Sequence, residues 1–242
     1  MIPSEKEALA LHSKYGSGER IVRHCQTVAR VAGILAEGLE KSGVKIDTKT
    51  VVAAALLHDI GRSRFQTVRH GVEGAEMIER EDVDRRVVEI VRKHVGAGIS
   101  PEEAERLGLP RLDYIPSTIE ERVVCFADKM VDSDRVRPFE LEVSRFVARK
   151  HDVQRLLELR KRLRVELGTD PNEFVLDKIK ESGYEAAARC QRASAGSAGT
   201  RPTRAAPNAL AAPTSGPHAC RSRPRKSSAP NRGHPEAYNS RQ

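Results

Sequence analysis

Apolar residues recur at intervals of three and four over most of the chain, and this spacing constrains the fold more than any other feature. Positions three and four apart share one face of an α-helix, because the helix has 3.6 residues per turn. The clearest stripes lie at Ile21, His24, Val28, Val31 and Leu35, and at Leu156, Leu159, Leu163 and Leu167. No stretch alternates with a period of two for long, so the sequence predicts an all-α fold, a helical bundle.

Capping signals predict where individual helices begin. They occur at Ser4 with Glu7, at Ser17, at Asp47, at Asp82, at Ser100 with Pro101 and Glu103, at Ser117 with Glu120, and at Pro171. We expect the helix that follows Ser117 to continue through Val131. The leucine stripe near the end of the helical region either closes the bundle or forms a self-association face, so a homo-oligomer is one expectation.

The positive charge of the chain lies in its C-terminal segment. The formal net charge is +8, yet residues 191–242 contain nine Lys and Arg residues and one acid, which leaves 33 bases and 33 acids in residues 1–190. This segment is also rich in Pro, Ala and Ser and poor in large apolar residues, so it cannot offset its ordering entropy. We therefore predict a helical domain over 1–188 and a disordered basic tail over 189–242.

Two interpretations of the tail are open. It could be a basic arm for RNA or anionic surfaces, or an unselected segment such as an out-of-frame translation product. It carries no motif, no aromatic spacing and no heptad pattern, which favours the second interpretation. The body, being electrically neutral, offers no gross basic footprint for a polyanion.

Composition excludes several classes of function. Aromatic residues make up 4% of the chain and Trp is absent, which argues against a base-stacking nucleic-acid surface. The longest strictly apolar run, Val51–Leu57, is far shorter than the roughly 20 residues of a membrane helix. The first residues are acidic and lack the apolar core of a secretory signal. Four cysteines without a C-x-x-C pair fit a reducing compartment. We expect a cytoplasmic protein.

Polar side chains occupy unexpected positions on the apolar faces. His24 and His94 each lie on an apolar stripe, Asp128 falls on the buried side of its helix, and a His-Asp doublet at 58–59 ends the most apolar segment. Singly, each has an ordinary explanation, such as a hydrogen-bonded core histidine or an aspartate paired with Lys129. Together they offer three imidazoles and two carboxylates, a donor set that suits a five- or six-coordinate metal better than structural zinc.

These residues form the order H…HD…D, which resembles the HD-domain superfamily of metal-dependent phosphohydrolases. The run from His58 to Arg62 reads HDIGR and is similar to the HDIG variant of that motif. Segments 70–76, 92–98, 114–121 and 127–129 resemble a group of small archaeal-type HD proteins, some of which occur beside or fused to a tRNA ribose methyltransferase. The similarity covers about residues 4–165, with a motif core at about 18–135.

The resemblance implies a metal site. His24, His58, Asp59 and Asp128 would hold the first divalent cation, Asp59 would bridge to a second, and His70 and His94 would complete the second position. One or two ions of Mn, Fe, Co, Ni or Mg are expected for each chain. His70 has an alternative interpretation as a solvent-facing residue at a helix start. The absence of an HHE sequence at His94 and of a GYP triplet argues against cyclic dinucleotide cleavage.

The resemblance also implies an enzyme that hydrolyses a phosphomonoester or phosphodiester, with a nucleotide as the expected small-molecule partner. A divalent cation neutralises the phosphate and activates water for attack. Asp59 and Arg62 are the predicted catalytic residues, and Arg62, Lys93 and Lys129 the predicted substrate-binding residues, although each base could equally be an ordinary exposed side chain. The alternatives are a non-catalytic module that binds metal or nucleotide, and an RNA-associated HD protein.

Overall fold

The computed structural model describes residues 1–183, and within them ten α-helices dominate. The α-helices are α1 (Glu5–Lys14), α2 (Glu19–Lys41), α3 (Thr48–Leu57), α4 (His70–Glu79), α5 (Arg85–Lys93), α6 (Pro101–Arg106), α7 (Ile119–Lys129), α8 (Phe139–Ala148), α9 (Val153–Leu167) and α10 (Pro171–Glu181). A 3₁₀ helix spans Ile60–Ser63, and strands β1 (Val131–Asp132) and β2 (Arg135–Val136) pair as a hairpin. The all-α fold class is confirmed, and the predicted tail with its boundary at residue 189 lies outside the described residues.

Helices α2 and α3 form the centre of the bundle. The 23-residue helix α2 packs against α3, α7 and the hairpin. It buries Val28, Val31 and Leu35 of the predicted stripe, while Ile21 and His24 at its start are partly exposed. Helix α3 contacts α1, α2, α5 and α7, so seven of its ten side chains are buried. A helix enclosed on most sides must be apolar around most of its circumference, which explains why this segment shows no amphipathic pattern.

The leucine stripe of α9 closes the bundle. Its four leucines, Leu156, Leu159, Leu163 and Leu167, are all buried, and the helix packs against α7, α8 and α10. The stripe therefore belongs to the core of the bundle, as the first of its two interpretations predicts. Among the described residues, none of the helices combines the length and apolarity needed to cross a bilayer.

Three predicted boundaries differ from the structure. Helix α5 starts at Arg85 with Asp84 as its N-cap, whereas Asp82 precedes it in a left-handed conformation at φ 56°. The capping box of α7 consists of Thr118 and Glu121 rather than Ser117 and Glu120. Each error arises because a neighbouring residue of similar capping ability competes for the position.

The third difference is the end of α7. This helix stops at Lys129, and the chain turns into the hairpin of β1 and β2 with Val131 opposite Val136. Strands of two residues are too short to produce a detectable period of two. Ser133 at the tip adopts φ 61°, which positions its backbone against α2.

A buried ion pair stabilises the start of α7. The Lys93 Nζ lies 2.9 Å from Oε1 of Glu121, whose other oxygen accepts the backbone N–H groups of Ser117 and Thr118. Burial alone would raise the pKa of Glu121, but these hydrogen bonds outweigh it and hold the pKa below 4.5. Glu121 therefore remains ionised throughout the neutral range.

Replacing Glu121 by glutamine should destabilise the fold by about 2 kcal/mol at pH 7, because the buried ammonium loses a charged acceptor. A depressed carboxyl pKa stabilises the folded state above the ordinary value of 4.5, so the difference from the unmodified protein should shrink as the pH falls below that value. Urea unfolding at pH 7 and pH 4 measures both. The exposed Glu105→Gln is the control, and equal effects of the two substitutions would contradict the prediction.

Candidate metal centre

Six predicted ligand residues converge in one place between the helices. His24 comes from α2, His58 and Asp59 follow the last turn of α3, and Asp128 comes from α7; His70 opens α4 and His94 follows α5. Neighbouring imidazole rings have centroids 4.9–5.2 Å apart. His70, given an alternative interpretation as a solvent-facing residue, is only 3% exposed. We call these six residues the His/Asp cluster.

All four imidazoles of the cluster are anchored in the same way. Each places Nδ1 within hydrogen-bonding distance of a backbone carbonyl, which can only accept. The pairs are His24 with Ser133 (2.8 Å), His58 with Ala55 (2.8 Å), His70 with Thr67 (2.6 Å) and His94 with Val91 (2.6 Å). Since Nδ1 donates in every case, every Nε2 faces the cluster, which is the orientation of metal-ligating histidines.

The two oxygens of Asp59 face different pairs of imidazoles. Its Oδ2 lies 3.8 Å from Nε2 of both His24 and His58, whereas its Oδ1 lies 3.1 Å from Nε2 of His70 and 3.4 Å from that of His94. The cluster thus divides into two groups of ligand atoms that share Asp59.

Asp128 adds a carboxylate to the first group. Its Oδ1 is 3.1 Å from Nε2 of His24 and 3.5 Å from Nε2 of His58. The first group therefore offers two imidazole nitrogens and two carboxylate oxygens, and the second offers two nitrogens and the remaining oxygen of Asp59.

The polar atoms of the cluster fit a divalent cation. His58 Nε2 and Asp59 Oδ1 are fully buried, and neither has a hydrogen-bond partner among the described residues. His70 Nε2 lies 3.0 Å from His94 Nε2, so two ring nitrogens that can act as metal ligands are adjacent. A cation would satisfy the buried atoms. The His/Asp cluster can therefore hold a metal ion.

The charges of the carboxylates in the cluster also suit a bound metal ion. Burial opposes ionisation of both carboxylates, yet the charge of His58 beside Asp59 and the Lys129 ammonium beside Asp128 hold both pKa values well below 3.8. Burial also lowers the pKa of His94 to about 4, which leaves that imidazole neutral at pH 7. Burial opposes the charge of His58 as well, but the neighbouring Cys25 and Asp59 raise the pKa of this imidazole well above 6.5, so a cation would have to displace its proton.

A polar cavity of about 370 Å³ opens onto the first group. It is lined by Arg20, Ile21, His24, Asp59, Arg62, Gln66, Asp128 and Ser133. Arg62 lies beside the cluster with its Nε 2.6 Å from Asp59 Oδ2, and its side chain is about one third exposed. It is the one predicted substrate-binding residue in this lining.

The other two predicted substrate-binding residues have different surroundings. The Lys93 ammonium is engaged by Glu121, as described above, and Lys93 does not line the cavity. Lys129 is 7% exposed and its ammonium contacts Asp128. Sequence adjacency to a ligand therefore did not bring either ammonium into the cavity, because the nearest buried carboxylate binds it first. The thiols of Cys25 and Cys125 are free and buried, and Cys125 Sγ donates to the carbonyl oxygen of Gly96 at 3.4 Å.

Sequence reasoning missed Arg20, Gln66 and Ser133. A signal for Arg20 is present in the sequence, since it precedes His24 by four residues and so shares its helical face. Ser133 has no such signal, because its role depends on the hairpin that returns the chain to α2.

Gly61 sets the spacing between the two groups of ligands. A Cβ atom added at this residue would lie 2.1 Å from the carbonyl oxygen of His70 and 2.8 Å from the backbone nitrogen of Gly74. The 3₁₀ helix after Asp59 therefore touches the backbone of α4 directly. This contact holds His70 against the His-Asp doublet.

Comparison with known proteins gives three similar relatives. The chain is 42% identical over 135 residues to a tRNA (cytidine(56)-2'-O)-methyltransferase of Picrophilus torridus, covering 56% of this chain and 38% of that protein. The same name belongs to a Thermoplasma volcanium protein that is 38% identical over 176 residues, covering 72% and 51%. This chain thus spans about half or less of the two methyltransferases. An uncharacterized protein of Methanocaldococcus jannaschii is 43% identical over 113 residues, covering 47% and 67%.

A family model and a solved structure complete the comparison. The crystal structure of the HD domain of the phosphodiesterase PgpH of L. monocytogenes is similar with a TM-score of 0.48 and 15% identity, covering 71% of this chain and 97% of that one. The model described as HD domain matches residues 21–131, a range that contains all six residues of the His/Asp cluster. This chain therefore carries an HD domain of that family over residues 21–131, and it covers 67% of the Methanocaldococcus relative at 43% identity.

Proposed function

We propose that this protein is a metal-dependent phosphohydrolase that cleaves a phosphoester bond of a nucleotide. The observation that carries the proposal is the position of Asp59, whose two oxygens face two separate pairs of imidazole Nε2 atoms. This arrangement suits a carboxylate that bridges two cations. Membership of the HD-domain family supports the same class of chemistry.

The cluster provides a ligand set for each cation. His24, His58, Asp59 and Asp128 would hold the first ion, and Asp59, His70 and His94 would hold the second. Mixed nitrogen and oxygen donors favour Mn, Fe, Co or Ni, with Mg as a harder alternative. When bound, divalent cations neutralise phosphoryl charge and lower the pKa of water to near neutrality.

Two basic residues have distinct roles in this proposal. Arg62 contacts Asp59 through Nε alone, and no other partner of its guanidinium occurs among residues 1–183, so its two Nη groups bind the phosphate of the substrate. Lys129, buried against Asp128, holds that carboxylate in position and does not contact substrate. Lys93 stabilises α7 and has no part in the reaction.

The proposal is tested on the full chain, purified without chelators and loaded with Mn²⁺, Co²⁺ or Ni²⁺. We expect metal-dependent release of inorganic phosphate from p-nitrophenyl phosphate and from at least one class of nucleotide. If the protein binds a stoichiometric amount of metal but hydrolyses no phosphomonoester or phosphodiester, the proposed hydrolase activity is contradicted. Thermal stabilisation by a nucleotide without hydrolysis would instead favour the binding module.

A second candidate function is an association with tRNA. It is supported by the two relatives that are named tRNA methyltransferases, in which the aligned region is only part of a longer protein. The test is fluorescence anisotropy of labelled tRNA with the full chain and with Arg221, Arg223, Arg225 and Lys226 replaced by serine. Salt-dependent binding that the replacements abolish would support a basic arm, whereas no binding by the unmodified chain would exclude this function.

A further inference from the structure

Arg20 lines the cavity beside the His/Asp cluster and comes from a different element than the HDIG segment. It lies in the first turn of α2, four residues before His24, so the two side chains share a helical face. Its Nη2 donates to Oγ of Ser133 at 3.1 Å, and the carbonyl of Ser133 in turn accepts the Nδ1–H of His24 at 2.8 Å. Arg20 is thus connected to a candidate ligand through one residue.

Arg20 and Arg62 line the same cavity. Arg62 follows Asp59 by three residues and contacts its carboxylate, while Arg20 precedes His24 by four residues and contacts Ser133. Together they place two planar forks of N–H donors at the cavity of a site built for divalent cations.

The charge of Arg20 is not compensated by a bonded carboxylate among residues 1–183. Its partner is a hydroxyl group, which an anion can displace. The neighbouring Arg23 differs, since it pairs with Glu19 and lies 3.9 Å from Asp134. Of the two acids adjacent to Ser133, Asp134 lies near Arg23, and Asp132 is engaged by Arg145 at 2.7 Å, although its charge also interacts with Arg20.

The lining of the cavity favours phosphate over a base as the group that is recognised. Within the described part of the chain, Ile21 is its one apolar side chain, and the only ring belongs to His24. A nucleobase would therefore find no aromatic surface on which to stack. Two guanidiniums beside two cations match a group with three non-bridging oxygens and two negative charges.

We propose that Arg20 is a second substrate-binding residue and that Arg20 and Arg62 together select a terminal phosphomonoester over a phosphodiester. The inference rests on the proposed hydrolase function and specifies its substrate class. A monoester presents a dianionic terminal phosphate to both guanidiniums. A diester carries one charge, and its second substituent occupies the position of one guanidinium contact.

The test compares Arg20→Ala and Arg20→Lys with Arg30→Ala in the full chain. Arg30 is a matched control, because it is an exposed arginine of the same helix that also donates to a serine hydroxyl, Ser182. Calorimetric titration of inorganic phosphate into protein carrying stoichiometric Mn²⁺ should show a Kd about tenfold weaker for Arg20→Ala, the loss expected of one charge-assisted contact. The Kd of Arg20→Lys for phosphate should lie between those of the unmodified protein and Arg20→Ala, since lysine keeps the charge but lacks the planar guanidinium.

Kinetics provide the second readout. For Arg20→Ala, the ratio of kcat/KM for p-nitrophenyl phosphate to that for bis(p-nitrophenyl) phosphate should fall about tenfold, mainly through KM for the monoester. Unchanged phosphate affinity and an unchanged ratio, with normal metal content, would overturn the role of Arg20 while leaving the hydrolase intact. If the unmodified protein binds Mn²⁺ but neither binds phosphate nor hydrolyses either ester, both the hydrolase and this inference are wrong.

Discussion

Asp59→Asn should abolish binding of both metal ions and lower phosphomonoester turnover at least about a thousandfold. The carboxylate is the only member of the His/Asp cluster that belongs to both groups of ligand atoms. Its neutralisation therefore weakens metal binding by both groups. Cations supply several kcal/mol of charge stabilisation to phosphoryl transfer, and each 1.36 kcal/mol corresponds to a factor of ten in rate. Elemental analysis of the purified variant measures metal content, and phosphate release measures turnover.

Two histidine substitutions make this result specific. His70→Ala removes a ligand of the second group alone and should reduce the metal content from two ions to one for each chain. His151→Ala is the control, because this exposed histidine contacts Phe146 and belongs to neither group. Full metal occupancy in a folded Asp59→Asn protein, checked by circular dichroism, would show that the ions bind elsewhere.

Gly61→Ala should destabilise the protein by at least about 3 kcal/mol, the upper range for an overpacked interior. The added methyl group would meet the His70 carbonyl oxygen at 2.1 Å and the Gly74 backbone nitrogen at 2.8 Å. Backbone atoms of a packed helix cannot yield as a flexible side chain would, so the 3₁₀ helix and α4 must separate. Chemical denaturation measures the loss of stability, and the metal content should fall as His70 moves away from Asp59.

Gly33→Ala is the matched control for this substitution. Gly33 lies inside α2, and a Cβ atom there would meet only Val52 Cγ2, at an ordinary 3.7 Å. Alanine in a helix interior is more favourable than glycine by about 0.5–1 kcal/mol, so this variant should be slightly more stable than the unmodified protein. Similar effects of the two glycine substitutions would show that the contact at Gly61 does not govern stability.

Helical periodicity made the fold class and the candidate ligands predictable. The apolar stripes define which side of each helix faces the core, and a histidine or aspartate within a stripe must therefore point inward. His24 and Asp128 were recognised in this way, and the His-Asp doublet by its place after the most apolar segment. His70 and His94 were assigned to the second metal position by resemblance to the HDIG segment and its neighbours. Their roles as metal ligands remain predictions for the elemental analysis to test.

Periodicities within single helices are enough to predict the all-α class and the inward direction of the polar side chains. The packing of the helices selects which distant groups meet: Lys93 with Glu121, Arg20 with the hairpin at Ser133, and each oxygen of Asp59 with its own pair of imidazoles. Most of these contacts join segments that are far apart in the chain. Their pairing depends on how helices pack and where turns return the chain, which no local pattern records.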